Sequence, residues 1–176
     1  MMLRYLFVIQ PQSGRQPTFR FAISRAAANP FPMIDTVFVL NGPNLNLLGT
    51  REPEIYGSDT LADIEVMLGE KARELGLAID FRQTNHEGVL VDWLHEARNV
   101  EAKAVLLNAA AYTHTSIALL DAIKAIELPV IEVHLSDPAT RETFRHISYV
   151  GMGAVGEVKG LGARGYAVAL EKAAAL

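Results

Sequence analysis

From Thr36 onward the chain alternates short β-rich runs with amphipathic helical segments, and that alternation leaves few architectures open. Residues 36–40 (TVFVL) read as a buried strand. Thr60 followed by Asp63 forms a capping-box pattern, and Leu61, Ile64, Met67 and Leu68 then recur at helical spacing until Gly76. Residues 77–81 (LAIDF) predict a second strand. Residues 88–98 predict a second helix, with Val89, Leu90, Trp93, Leu94 and Ala97 on one face. A third strand (104–107, AVLL), a third helix (115–126) and a fourth strand (130–134, VIEVH) follow. Pro138 suits the first turn of a fourth helix over 138–145, a weak strand lies within 149–158, and a last helix covers 164–175. Crossovers of this length join parallel strands buried on both faces. The expectation is an α/β fold, a flavodoxin-like three-layer sandwich with a five-stranded parallel sheet in the order 2-1-3-4-5. There is no internal repeat and no linker after Met33, so residues 35–176 are expected to form one domain.

Residues 1–34 stand apart. They carry Arg4, Arg15, Arg20 and Arg25, four prolines and no acid, while the rest of the chain holds 12 bases against 20 acids. A targeting peptide is one reading of an arginine-rich, acid-free leader. The other is that translation starts at Met33. The segment lacks a continuous apolar core followed by a small-residue cleavage site, which argues against secretion, and the expected location is cytoplasmic. In both readings residues 1–34 lie outside the fold.

Composition removes several classes of function. The chain has no cysteine, which excludes disulfides, thiolate catalysis and zinc-thiolate sites. A net charge of −4 offers no basic field for nucleic acid. No apolar run reaches the roughly 18 residues that a membrane helix needs.

In a sheet of this kind ligands bind beyond the carboxyl ends of the strands. Asn41-Gly42-Pro43-Asn44 follows the first strand; Asn108 and then Tyr112-Thr113-His114 follow the third; the fourth ends in Glu132-Val133-His134, then Leu135-Ser136. Glu132 and His134 are two apart on a strand, so their side chains share a face. A carboxylate beside an imidazole fixes the ring and raises its basicity, which suits a general acid; the alternative is a surface ion pair. Residues 49–58 (GTREPEIYGS) form a long loop bounded by glycines, the pattern of a lid, and hold Arg51 and Tyr56. A guanidinium beside a tyrosine favours the phenolate, which can abstract a proton next to a ketone; the alternative is a packed tyrosine and a solvated arginine.

Residues 113–116 (THTS) are read as opening a helix, whose first amides can bind oxygen atoms while His114 meets a hydroxyl; alternatively Thr113 or Thr115 only caps it. Arg141 and Arg145 are four apart on the expected fourth helix, placed to clamp a carboxylate or to pair with Glu142. Two G-x-G-x-x-G matches, 151–156 (GMGAVG) and 160–165 (GLGARG), lack the strand and ribose-binding acid of a dinucleotide site and read as turns. His114, His134 and Asp137 show no close-spaced metal-ligand motif, so no metal is expected. A flavodoxin-like nucleotide or flavin module is the rival reading, but Pro43 removes an amide donor where a phosphate loop would lie. Lysine Schiff-base chemistry is a second rival; Lys71, Lys103, Lys124, Lys159 and Lys172 all fall outside the strand-end motifs.

Together VLNGPNLNLLGTREPEIYG (39–57), NHEG (85–88), DWLH (92–95), NAAAYTHTS (108–116), PVIEVHLS (129–136), RETFRHISYV (141–150) and GLGARGY (160–166) resemble the type II 3-dehydroquinate dehydratase family of the shikimate pathway. The resemblance spans about residues 36–175. It implies a lyase that needs no cofactor and converts 3-dehydroquinate by anti elimination through an enolate. It implies Tyr56 as base, Arg51 as its activator, Asn44 as holder of a water at the enolate oxygen, His134 as acid and Glu132 as its orienter. Asn108, His114 and Arg145 resemble the ring-hydroxyl contacts, Leu135 and Ser136 the carboxylate site, and Arg141 a helper of Arg51. The family pattern further implies a homododecamer of four trimers, with Asp121 reaching a neighbouring subunit's site. Three departures stand out: Leu120 replaces a frequent arginine, Asp137 a common asparagine, and Ala110 and Ala111 a frequent glycine, the last being a conservative change by type.

Overall fold

The computed structural model describes residues 34–50 and 58–176. Strands β1 (Thr36–Asn41), β2 (Ala78–Gln83), β3 (Ala104–Asn108), β4 (Val130–Val133) and β5 (Gly156–Val158) form one parallel sheet in the order β2-β1-β3-β4-β5. This is the expected flavodoxin-like topology. The helices are α1 (Leu61–Glu74), α2 (Glu87–Asn99), α3 (Ile117–Ile126), the short α4 (Tyr149–Gly153) and α5 (Arg164–Ala174).

Strand alternation sorts the core into two layers. Val37, Val39, Leu106, Ile131 and Val133 pack with Ile64 and Leu68 of α1 and Tyr166, Ala169 and Leu170 of α5. Phe38, Leu40, Val105 and Leu107 face the other way, onto Leu90 and Leu94 of α2 and Leu119, Ile123 and Ile126 of α3. Burying each such side chain contributes about 1.5–3 kcal/mol before the entropy of ordering is subtracted.

Local chemistry sets the helix limits. Thr60 and Asp63 form the reciprocal capping box that their spacing predicts, and Gly76 leaves α1 with φ +70°. On edge strand β2, Arg82 is gripped by both oxygens of Asp80 and of Glu96 and lies over the rings of Phe38 and Trp93, which ties the sheet edge to α2. Among the described residues no helix is long and apolar enough to cross a membrane.

Two local expectations are corrected. Residues 113–116 do not open α3: a 3-10 turn covers Ala110–His114, and Ser116 caps α3 by accepting the Leu119 amide. The segment 138–145 is not an α-helix but two 3-10 turns, Pro138–Thr140 and Thr143–Arg145, with extended backbone at Arg141 between them. The weak strand expected within 149–158 is β5 at 156–158, paired with β4, and α4 precedes it over 149–153.

Candidate active site

The carboxyl ends of β1, β3 and β4 meet at one open cleft. Asn44, Asn108, His114, His134, Leu135, Ser136, Arg141 and Arg145 all line it. The sequence reading therefore brought together residues from four segments of the chain. Arg51 and Tyr56 lie outside the described residues. Asp121 is exposed on α3 and is not among the residues lining its own chain's cleft.

Glu132 and His134 form a buried pair, not a surface one: they are 1% and 7% exposed, with Oε1 2.8 Å from Nε2. Oε1 also accepts the hydroxyls of Thr113 and, at 2.7 Å, Ser148. Burial alone would raise the Glu132 carboxyl, but the bonds from His134, Thr113 and Ser148 and the charge of His134 together hold it below the ordinary glutamate range. An ionised carboxylate only accepts, so His134 donates from Nε2 and its Nδ1 is left for a ligand. A ring so held at a cleft can deliver a proton.

The pair also makes stability depend on acidity. Its folded carboxyl lies below the unfolded glutamate value of 4.5, so its contribution is complete above that pH and is lost as pH falls through the folded value. The difference in thermal midpoint between wild type and Glu132→Gln is therefore expected to be constant above pH 4.5 and to shrink below it. Calorimetry across that range measures this, and a difference that grows on acidification would contradict the assignment.

His114 stands parallel to His134, with ring centroids 6.4 Å apart and planes 10° apart. Burial lowers its pKa, against the opposing bond to the Ile147 carbonyl, which lies 2.8 Å from Nδ1. A carbonyl cannot donate, so Nδ1 carries the proton and Nε2 presents an acceptor. Arg141 and Arg145 share Glu142, at 3.6 Å and 2.8 Å. The two arginines do not share an α-helix, yet both line the cleft. Asp137 caps the turn at 138–140 and lies 3.9 Å from Lys159, which offsets the charge that replaces a neutral asparagine.

Beneath the cleft, fully buried Tyr166 joins two strand ends by donating to Asn41 Oδ1 at 2.6 Å and accepting from Asn108 Nδ2 at 2.9 Å. Burial drives its phenol well above the ordinary value, outweighing the opposing Asn108 bond, so it stays protonated and is no base. Gly42 is required because a Cβ there would lie 2.5 Å from the Ala109 carbonyl oxygen. Asn44 adopts φ +66°, a conformation asparagine tolerates, and its amide donates to Asn85 Oδ1. The amides after β1 are thus committed: Gly42 bonds Asn108, Pro43 has none and Asn44 bonds Asn85. Residues 42–44 therefore offer a phosphate no free amide, which disfavours the nucleotide-binding rival.

Ala110 is not a conservative replacement for glycine. It sits at φ +50°, where a Cβ is strained by about 1–2 kcal/mol. Ala110→Gly is expected to raise stability by about 1 kcal/mol, or roughly 2–4 °C in thermal midpoint. A lower midpoint would show that packing of the Ala110 methyl outweighs backbone strain.

Sequence reading missed the partners that hold these groups: Thr113, Ser148, Tyr166 and Asn85. Thr113 stood out only as a candidate cap. The others lie in recognisable motifs, but no local spacing connects them to Glu132, Asn108 or Asn44.

Fold and cleft together define an α/β protein with a carboxylate–imidazole pair at the cleft on the carboxyl edge of a parallel sheet. The family model described as "Dehydroquinase class II" matches residues 35–174. The chain is 57% identical over 141 residues to a 3-dehydroquinate dehydratase of Caulobacter vibrioides, a match covering 80% of this chain and 96% of that one. It is 56% identical over 141 residues to a 3-dehydroquinate dehydratase of Streptomyces avermitilis, covering 80% and 88%. The crystal structure of a type II dehydroquinase from Propionibacterium acnes superposes with a TM-score of 0.78 at 44% identity, covering 82% of this chain and 99% of that one. The chain belongs to the class II dehydroquinase family.

Proposed function

We propose that this chain is a hydro-lyase that dehydrates 3-dehydroquinate to 3-dehydroshikimate, serving the shikimate pathway toward chorismate and the aromatic amino acids. The observation that carries the reading is the buried Glu132–His134 pair at the cleft, in a chain of the class II dehydroquinase family. Tyr56, activated by Arg51, removes the proton next to the ketone. The enolate that results is stabilised through a water held by Asn44. His134 then protonates the departing hydroxyl, with Glu132 orienting the ring and stabilising the imidazolium. Asn108, His114 and Arg145 bind ring hydroxyls, Leu135 and Ser136 take the substrate carboxylate, and Arg141 supports Arg51.

Base and acid on different segments suit an anti elimination. Substrate stereospecifically deuterated next to the ketone tests both reaction and geometry. Product formed with loss of the label on the face opposite the departing hydroxyl is the expected result. Loss from the same face, or an adduct trapped by borohydride, would point to lysine imine chemistry.

The catalytic domain is assigned to residues 35–176, with 1–34 outside it, in keeping with the family match over 35–174. The assembly proposed is a homododecamer of four trimers in the cytoplasm, with Asp121 contributed to a neighbour. Ile117 on α3 and Met152 on α4 are exposed apolar side chains on two helices packed together. Light scattering at known concentration measures the mass.

A further inference from the structure

The acid pair is held from behind by groups that line no cleft. Thr113, in the turn after β3, is fully buried, and among the described residues its hydroxyl meets Glu132 Oε1 and, at 3.0 Å, Ser148 Oγ. Ser148, ahead of α4, donates to the same Oε1 at 2.7 Å and accepts the Gly151 amide at 2.7 Å. Each hydroxyl has one proton, and both are given to the carboxylate. Gly151 completes the wall, since a Cβ there would lie 2.7 Å from Glu132 Oε2 and 3.0 Å from Ser148 Oγ. Only bare backbone lets α4 approach this closely. The neighbouring Ile147 carbonyl holds His114. One short segment, 147–151, therefore fixes both histidines of the cleft.

We propose that Thr113 and Ser148 are positioning residues for the acid: their hydroxyls lock the Glu132 carboxylate so that Oε1 grips His134 Nε2 and leaves Nδ1 to the substrate. This role rests on reading His134 as the acid of the dehydration. Neither hydroxyl touches the cleft, so their loss should weaken turnover and spare substrate binding. Hydrogen bonds to a charged group of this kind correspond to about tenfold to hundredfold in rate when the charge they hold acts in the transition state.

The test uses the full chain with 3-dehydroquinate. Thr113→Val swaps the hydroxyl for a methyl at constant shape; Thr113→Ser keeps it; Ser148→Ala removes the second donor. In Thr113→Val and Ser148→Ala, kcat is expected to fall about tenfold or more while KM stays within about threefold. Thr113→Ser is expected to stay within about threefold of wild type in both constants. A purely structural role would lower the thermal midpoint and leave kcat and KM of the folded Ser148→Ala enzyme at wild-type values, which overturns the proposal. So does a folded Thr113→Val enzyme with wild-type kcat, or equal losses in Thr113→Ser and Thr113→Val. Wild type that fails to convert the substrate would overturn the functional reading beneath it, a result distinct from active wild type with unaffected variants.

Discussion

Replacing His134 with glutamine is expected to lower kcat by about 10²–10⁴ while leaving KM within about threefold. The substitution is chosen for what it keeps. A glutamine amide can still donate to Glu132, so the carboxylate at 1% exposure is not left without that partner. What it removes is a group that can give up a proton to the departing hydroxyl. Alanine would confound the two effects, because a buried carboxylate robbed of its partner destabilises the fold. Steady-state kinetics together with a thermal midpoint separate them. A folded His134→Gln enzyme with near-normal kcat would remove His134 as the acid and leave Glu132–His134 as a structural pair.

Tyr56→Phe is expected to cost a comparable or larger factor, about 10²–10⁴ in kcat, with binding of the product retained. A phenol of ordinary acidity, pKa near 10, is a poor base at neutral pH, and each unit of lowering corresponds to about 1.4 kcal/mol. Arg51 is the proposed source of that lowering. Arg51→Gln should therefore move the acidic limb of the kcat profile to higher pH, where the phenolate forms without help. Exchange of the proton next to the ketone with solvent deuterium reports the base step alone. Tyr56→Phe should abolish that exchange, whereas His134→Gln should leave more of it, since proton removal precedes loss of the hydroxyl in an enolate mechanism. Exchange at the wild-type rate in Tyr56→Phe would sink the assignment.

The sheet was legible because its signals are local and repeated. TVFVL, AVLL and VIEV are short apolar runs, and two faces of buried alternation follow from them wherever helices cover both sides. The Thr60–Asp63 box and Gly76 marked the ends of α1 for the same reason. The period-two placement of Glu132 and His134 was legible too, though not their depth. What failed were the short turns. Pro138 and the i,i+4 arginines imitate a helix, but Asp137 caps a 3-10 turn that stops at Thr140, and the chain reaches Arg145 by a second turn. In THTS three hydroxyl residues compete to cap α3, and Ser116 wins because Thr113 is drawn to Glu132. The supporting network was out of reach of any local pattern. Tyr166 and Asn41 are 125 residues apart, and Glu132 draws Thr113 and Ser148 from 19 and 16 residues away. Ala110 shows a different limit: residue type suggested a mild exchange, and only its φ of +50° reveals the strain.

The most direct test of the central claim is the ultraviolet absorbance of chelator-treated protein mixed with 3-dehydroquinate. Dehydration conjugates the ketone with a new double bond, so an enone band should grow at a rate proportional to enzyme and indifferent to chelator. Absence of that band from folded, correctly assembled protein would contradict the dehydratase reading and redirect attention to ligand binding in the same cleft.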